Sequence, residues 1–126
     1  VPGKIMIVDE TVSMRKILKR FFESSGYDVV AEAANGQDAV RLYMEHRPDL
    51  LTLDLALPVL DGFQAMKTIR RFDPQAKIVI CSSMGQQQTV IQAIHSGAKD
   101  YVVKPILPGR LAELVEKLLY PVHEKR

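Results

Sequence analysis

Short apolar runs alternate five times with longer stretches of helical period along this chain. Lys4–Val8, Asp28–Ala33, Leu50–Asp54, Lys77–Ser82 and Tyr101–Val103 read as strands, rich in β-branched and aliphatic residues and bounded by polar or turn-forming ones. Ile5-Met6-Ile7-Val8, Leu50-Leu51-Thr52-Leu53 and Ile78-Val79-Ile80-Cys81 are almost continuously apolar, as strands covered on both faces must be, and are expected at the sheet centre. Strict alternation of strand and helix predicts an α/β fold around a parallel sheet, with helices on both faces.

The intervening stretches carry the other period. Met14, Ile17, Leu18, Phe21 and Phe22 form one apolar stripe, with Arg15, Lys16, Lys19, Arg20 and Glu23 on the remaining face, before Ser24-Ser25-Gly26 stops the helix. A second helix is expected over Gln37–His46, ending before Arg47-Pro48 because proline disfavours helical backbone in its predecessor. A third spans Gly62–Phe72 with Phe63, Met66 and Ile69 inward. A fourth, Gln86–His95, carries Val90, Ala93 and Ile94 and closes at Ser96-Gly97, where glycine suits the left-handed position after a helix end. The fifth runs from Pro108 to about Tyr120 with Leu111, Leu114, Val115 and Leu118 on one stripe.

At 126 residues the chain is sized for one domain over its whole length, 1–126, with a frayed tail from about residue 121. Hydrophobic residues at 47% and charged residues at 25% supply a core large enough to dispense with disulfides. The single cysteine, Cys81, lies in an apolar run and reads as a packed thiol in a reducing compartment. A net charge of +2, spread evenly, is too small for a nucleic-acid footprint. No apolar run approaches the roughly twenty residues that span a bilayer, and Val1-Pro2-Gly3 has no signal-peptide character. The expected location is the cytoplasm.

Polar residues stand where the strand runs stop: Asp9 and Glu10 after the first, Asp54 at the end of the third, Ser82 at the end of the fourth, Lys104 after the fifth. In a parallel sheet all carboxyl ends share one edge, where ligands bind, so these five are expected to converge. Each alone has an ordinary reading as a cap, a turn residue or a solvated lysine. Together, three carboxylates with no histidine suit Mg²⁺, or Mn²⁺, and the metal would keep Asp54 ionised as a nucleophile toward phosphorus. Lys104 and Ser82 would then neutralise and bind the phosphoryl oxygens.

Val8-Asp9-Glu10, Leu53-Asp54 with Leu57-Pro58 and Asp61-Gly62, Ser82, and Gly97-Ala98-Lys99-Asp100-Tyr101 leading to Lys104-Pro105 resemble the ordered motifs of the response regulator receiver family over nearly the whole chain. Cys81-Ser82-Ser83-Met84-Gly85-Gln86-Gln87 looks most like the chemotaxis members from thermophilic and Gram-positive bacteria. The resemblance implies a doubly wound, flavodoxin-like sheet in the order 2-1-3-4-5. It makes Asp54 the phosphoacceptor and assigns the metal to Asp9, Glu10, Asp54 and the Ala56 carbonyl. It makes Lys104, joined to Pro105 by a cis bond, the phosphate-contacting lysine, and it makes Ser82 and Tyr101 the switch pair. It further implies a CheA-like sensor histidine kinase as donor and a protein partner such as a flagellar switch component at the surface of the fourth helix, fifth strand and fifth helix. Neither nucleic acid nor membrane is an expected direct partner, and a monomer or a phosphorylation-dependent dimer is expected. The only reaction expected is the gain and loss of the domain's own phosphoryl group.

Three positions depart from the family pattern. Glu10 replaces the more usual second aspartate, Ala56 puts a methyl beside the path of attacking water, and Ser83 stands where alanine or glycine is preferred. Slower or altered phosphorylation is the expectation, not its loss. The alternatives are a receiver cut from a longer regulator and a degenerate receiver that only binds proteins. A nucleotide- or flavin-binding domain is disfavoured because Asp9-Glu10-Thr11-Val12 stands where a glycine-rich phosphate loop would be.

Overall fold

The computed structural model describes residues 3–121. Ten elements follow in strict alternation: β1 (Lys4–Val8), α1 (Val12–Ser24), β2 (Asp28–Ala33), α2 (Gly36–His46), β3 (Leu50–Leu53), α3 (Gly62–Phe72), β4 (Ile78–Ser82), α4 (Gln87–His95), β5 (Asp100–Val103) and α5 (Pro108–Leu119). The strands form one parallel sheet in the order β2-β1-β3-β4-β5. The apolar runs of β1, β3 and β4 occupy its centre, as their composition requires. The frayed tail expected from residue 121 lies, beyond Pro121 itself, outside the described residues.

Strand periodicity divides the core into two layers. Ile5, Ile7, Leu50, Val79, Cys81 and Val102 face α1 and α5, meeting Leu18 and Phe22 from the former and Leu111, Leu114, Val115 and Leu119 from the latter. Met6, Val8, Leu51, Leu53, Ile78 and Ile80 face the other way, onto Ala39 and Tyr43 of α2, Met66 and Ile69 of α3 and Ala93 of α4. Helix starts are set locally: the Asn35 side chain accepts from the Asp38 amide at 2.8 Å, and the Asp61 side chain accepts from the Gln64 amide at 2.9 Å. Gly97 (φ 117°) takes the positive φ expected after α4, and Gly26 (φ 90°) does the same after α1.

Periodicity misplaced a few side chains. Ile17 was expected inward but is 60% exposed, because α1 meets the sheet along the narrow line of Leu18 and Phe22. Ile94 is 42% exposed, since α4 buries only the small Ala93 fully. In α5 the fully buried residue of the last turn is Leu119, with Leu118 only partly buried. Arg15, expected on the solvated face, is largely covered, its side chain 18% exposed.

Among the described residues, Thr52 Oγ1 is the only buried side-chain polar atom without a partner. It lies in register between Ile7 and Val79. Valine has the same shape without the orphaned hydroxyl, so Thr52→Val is expected to stabilise the fold by about 1 kcal/mol, raising Tm by roughly 4 °C. Calorimetry or thermal circular dichroism checks this, and a lowered Tm would contradict it.

Candidate functional site

The strand order reverses between β1 and β3, so their connections leave in opposite directions and open a crevice at the carboxyl edge. Val8 and Leu53 are register partners, which places Asp9 and Asp54 side by side at the floor of that crevice. Asp54 donates its amide to the Val8 carbonyl at 3.0 Å, and Asp9 donates its amide to Ala33 at 3.0 Å. Both acids are buried, Asp9 1% and Asp54 8% exposed.

Lys104 reaches them from the end of β5. Its Nζ donates to Asp9 Oδ2 at 2.7 Å and to Asp54 Oδ2 at 3.1 Å. Burial alone would depress the ammonium's pKa, but hydrogen bonding to Asp9 and the charge of Asp54 outweigh this and hold it above its ordinary value. Two carboxylates against one ammonium leave one negative charge uncompensated among largely buried side chains. The remaining oxygens are held locally: Asp9 Oδ1 accepts from the Thr11 amide and hydroxyl, both at 2.9 Å, and Asp54 Oδ1 accepts from the Ala56 amide at 3.2 Å. The peptide bond between Lys104 and Pro105 is cis.

Ser82, fully buried at the end of β4, accepts from the Met84 amide at 3.2 Å. Tyr101 is buried on β5 and donates its hydroxyl to the Met84 carbonyl. Burial pushes the Tyr101 phenol above its ordinary value, an effect partly offset by the Ser82 hydroxyl. The backbone of Met84 therefore links the serine to the tyrosine. Sequence inspection missed that link, as it missed Thr11, because a backbone bridge leaves no mark in side-chain type. Behind this edge the Cys81 thiol is buried and pushed up to about 12, mainly by desolvation, as a packed and unreactive cysteine should be.

Of the three carboxylates expected to converge, two do. Glu10 is exposed, and among the described residues no group of three or more histidine, cysteine or acidic side chains is assembled that could hold a metal ion. In kind the donors still fit a hard divalent cation: two buried carboxylates, all-oxygen chemistry, an excess negative charge and the exposed Glu10 next in sequence to Asp9. Ala56 and Ser83 are both exposed.

Gly62, the first residue of α3, packs against the phosphoacceptor candidate's own backbone. A Cβ there would lie 2.3 Å from the Asp54 carbonyl oxygen and 2.5 Å from Leu55 Cα. Gly62→Ala is expected to destabilise the protein by about 3 kcal/mol, because main-chain atoms must move to relieve the overlap. Denaturant unfolding measures it, and a variant within about 0.5 kcal/mol of the parent would refute the packing argument.

The chain belongs to the response regulator receiver family, whose model, the response regulator receiver domain, matches residues 5–116. It is a CheY-like receiver domain of a two-component response regulator, a signalling module and not a classical enzyme. It is 48% identical over 116 residues to the chemotaxis protein CheY of Bacillus subtilis, covering 92% of this chain and 97% of that one. Against CheY of Thermotoga maritima the identity is 46% over 115 residues, covering 91% and 96%. Its fold superposes with a TM-score of 0.90, at 32% identity and with 94% and 90% coverage, on a chain of the CheX-CheY-BeF3-Mg complex from Borrelia burgdorferi. No helix among the described residues is long and apolar enough to cross a membrane.

Proposed function

We propose that Asp54 accepts a phosphoryl group from the phosphohistidine of a CheA-like sensor kinase in a Mg²⁺-dependent reaction. The observation that carries this reading is the buried Asp9–Lys104–Asp54 bridge at the carboxyl edge, with its uncompensated negative charge. A carboxylate oxygen of Asp54 attacks phosphorus, the P–N bond breaks, and the electron pair leaves with the imidazole, giving an aspartyl phosphate. Lys104, already within hydrogen-bond reach of Asp54, is placed to neutralise phosphoryl oxygens as they arrive. Asp9, Glu10, Asp54 and the Ala56 carbonyl would hold Mg²⁺, which supplies further charge neutralisation when bound.

Ser82 is the donor for a phosphoryl oxygen. Its Oγ accepts from Met84 and its hydroxyl faces the Tyr101 phenol, so drawing it toward Asp54 disturbs both that contact and the Met84 peptide that Tyr101 also binds. The response spreads to the surface of α4, β5 and α5, where Ile91, Ile94, Val103 and Leu107 expose apolar side chains suited to a protein partner such as a flagellar switch component. The cytoplasm is the compartment in which such a kinase and switch would meet the chain.

Incubation of the purified protein with acetyl phosphate and Mg²⁺ tests the reading. Mass spectrometry is expected to find one added phosphoryl group, mapped to Asp54 and absent when Mg²⁺ is chelated. Uptake at another residue, or uptake indifferent to the metal, would overturn it.

A further inference from the structure

We infer that Arg15 is a positioning residue for the acid pair Asp9-Glu10, acting through the backbone of the β1–α1 loop and not through contact with the reacting atoms. Its Nη1 donates to two successive carbonyls, Asp9 at 2.7 Å and Glu10 at 3.2 Å. The other side of the guanidinium is anchored on β2, Nε lying 3.4 Å from Glu32 Oε1, and Glu32 is also 3.8 Å from Lys19 Nζ. One planar fork thus ties the loop to the neighbouring strand, a geometry a single ammonium cannot reproduce.

The loop needs such a tie. Asp9 is fixed by its own side-chain bonds to Thr11 and Lys104, but Glu10 is exposed, and its carboxylate makes no hydrogen bond or ion pair in the structure. The one bond to Glu10 that fixes its place runs from Arg15 to its carbonyl oxygen. Glutamate has one more rotatable bond than the usual aspartate, so the orientation of its peptide decides whether its carboxylate reaches the pocket. Arg15 carries that orientation.

This rests on the proposed Mg²⁺ site, and its test separates the two. Mg²⁺ alone is titrated into the parent, Arg15→Lys, Arg15→Met and the control Lys19→Met. Each is first checked for folding by circular dichroism, and binding is followed by calorimetry and by the Glu10 and Thr11 amide resonances. The positioning role predicts affinity about tenfold weaker in both Arg15 variants, a usual loss when a group holding a metal ligand is removed. It also predicts displaced Glu10 and Thr11 resonances before any metal is added, and a control like the parent. A purely electrostatic role predicts the reverse: Arg15→Met would bind the cation more tightly and Arg15→Lys would match the parent. A purely structural role lowers the melting temperature and leaves affinity unchanged. Either result overturns the inference while the site stands. A parent that binds no Mg²⁺ removes the site itself, and the inference with it.

Discussion

Asp54→Asn is expected to abolish phosphoryl uptake from acetyl phosphate, with the rate falling at least about 10³-fold, while the fold is kept. The amide is a far poorer nucleophile than the carboxylate, and no neighbour can take its place. Asp9 lies on the same floor but is more deeply buried and more tightly held: it accepts two bonds at 2.9 Å and one at 2.7 Å, where Asp54 accepts one at 3.2 Å and one at 3.1 Å. Folding should not suffer, because the substitution removes the uncompensated charge: one carboxylate against one ammonium remains, and the short Asp9–Lys104 bond is untouched. Like charges held close in a buried pocket oppose folding, so the metal-free variant should be at least as stable as the parent. A phosphorylation assay paired with thermal unfolding reads both. Uptake that survives the substitution would remove Asp54 from the mechanism. A degenerate receiver would be recognised differently, by no uptake in parent or variant.

Much of this site was legible in the chain because its residues are positioned by strand ends. A parallel sheet gathers its carboxyl termini on one edge, so finding where the apolar runs stop was enough to bring Asp9, Asp54, Ser82 and Lys104 together across nearly a hundred positions. The strands themselves were legible for the same reason: β1 and β2 begin and end where their patterns do, and β3 stops one residue early, leaving Asp54 free of the ladder. What sequence pattern could not supply was contact made through the backbone. The Met84 peptide that joins Ser82 to Tyr101, the Arg15 fork on two carbonyls and the close approach of Gly62 to Asp54 depend on three-dimensional packing. Val59, a β-branched residue held at φ 69° in the loop after Asp54, is a further case: residue type alone argues against that conformation, and only the bond from the Leu60 amide to the Pro58 carbonyl at 2.7 Å accounts for it. Exposure on α1 and α4 was misjudged because helical period gives the direction of a side chain and not the width of the surface it meets.

Lys104→Met is expected to cost about 3 kcal/mol of stability at neutral pH in the absence of divalent metal, since it strands two buried carboxylates without their shared cation. Methionine fills much the same volume, so the loss is electrostatic in origin and must depend on pH. In the parent, the Lys104 ammonium is held above its ordinary 10.5, so its contribution is complete below that value and lost as pH climbs through the raised one. The variant lacks that alkaline loss. Mg²⁺ supplies the missing positive charge, so it should raise the variant's Tm by more than the parent's, as binding to the folded state alone requires. Phosphoryl uptake should nevertheless stay impaired, because the metal cannot also occupy the place from which Lys104 reaches Asp54 at 3.1 Å. A variant as stable as the parent without metal, or one that Mg²⁺ stabilises no further, would show that the ammonium does not compensate the acid pair.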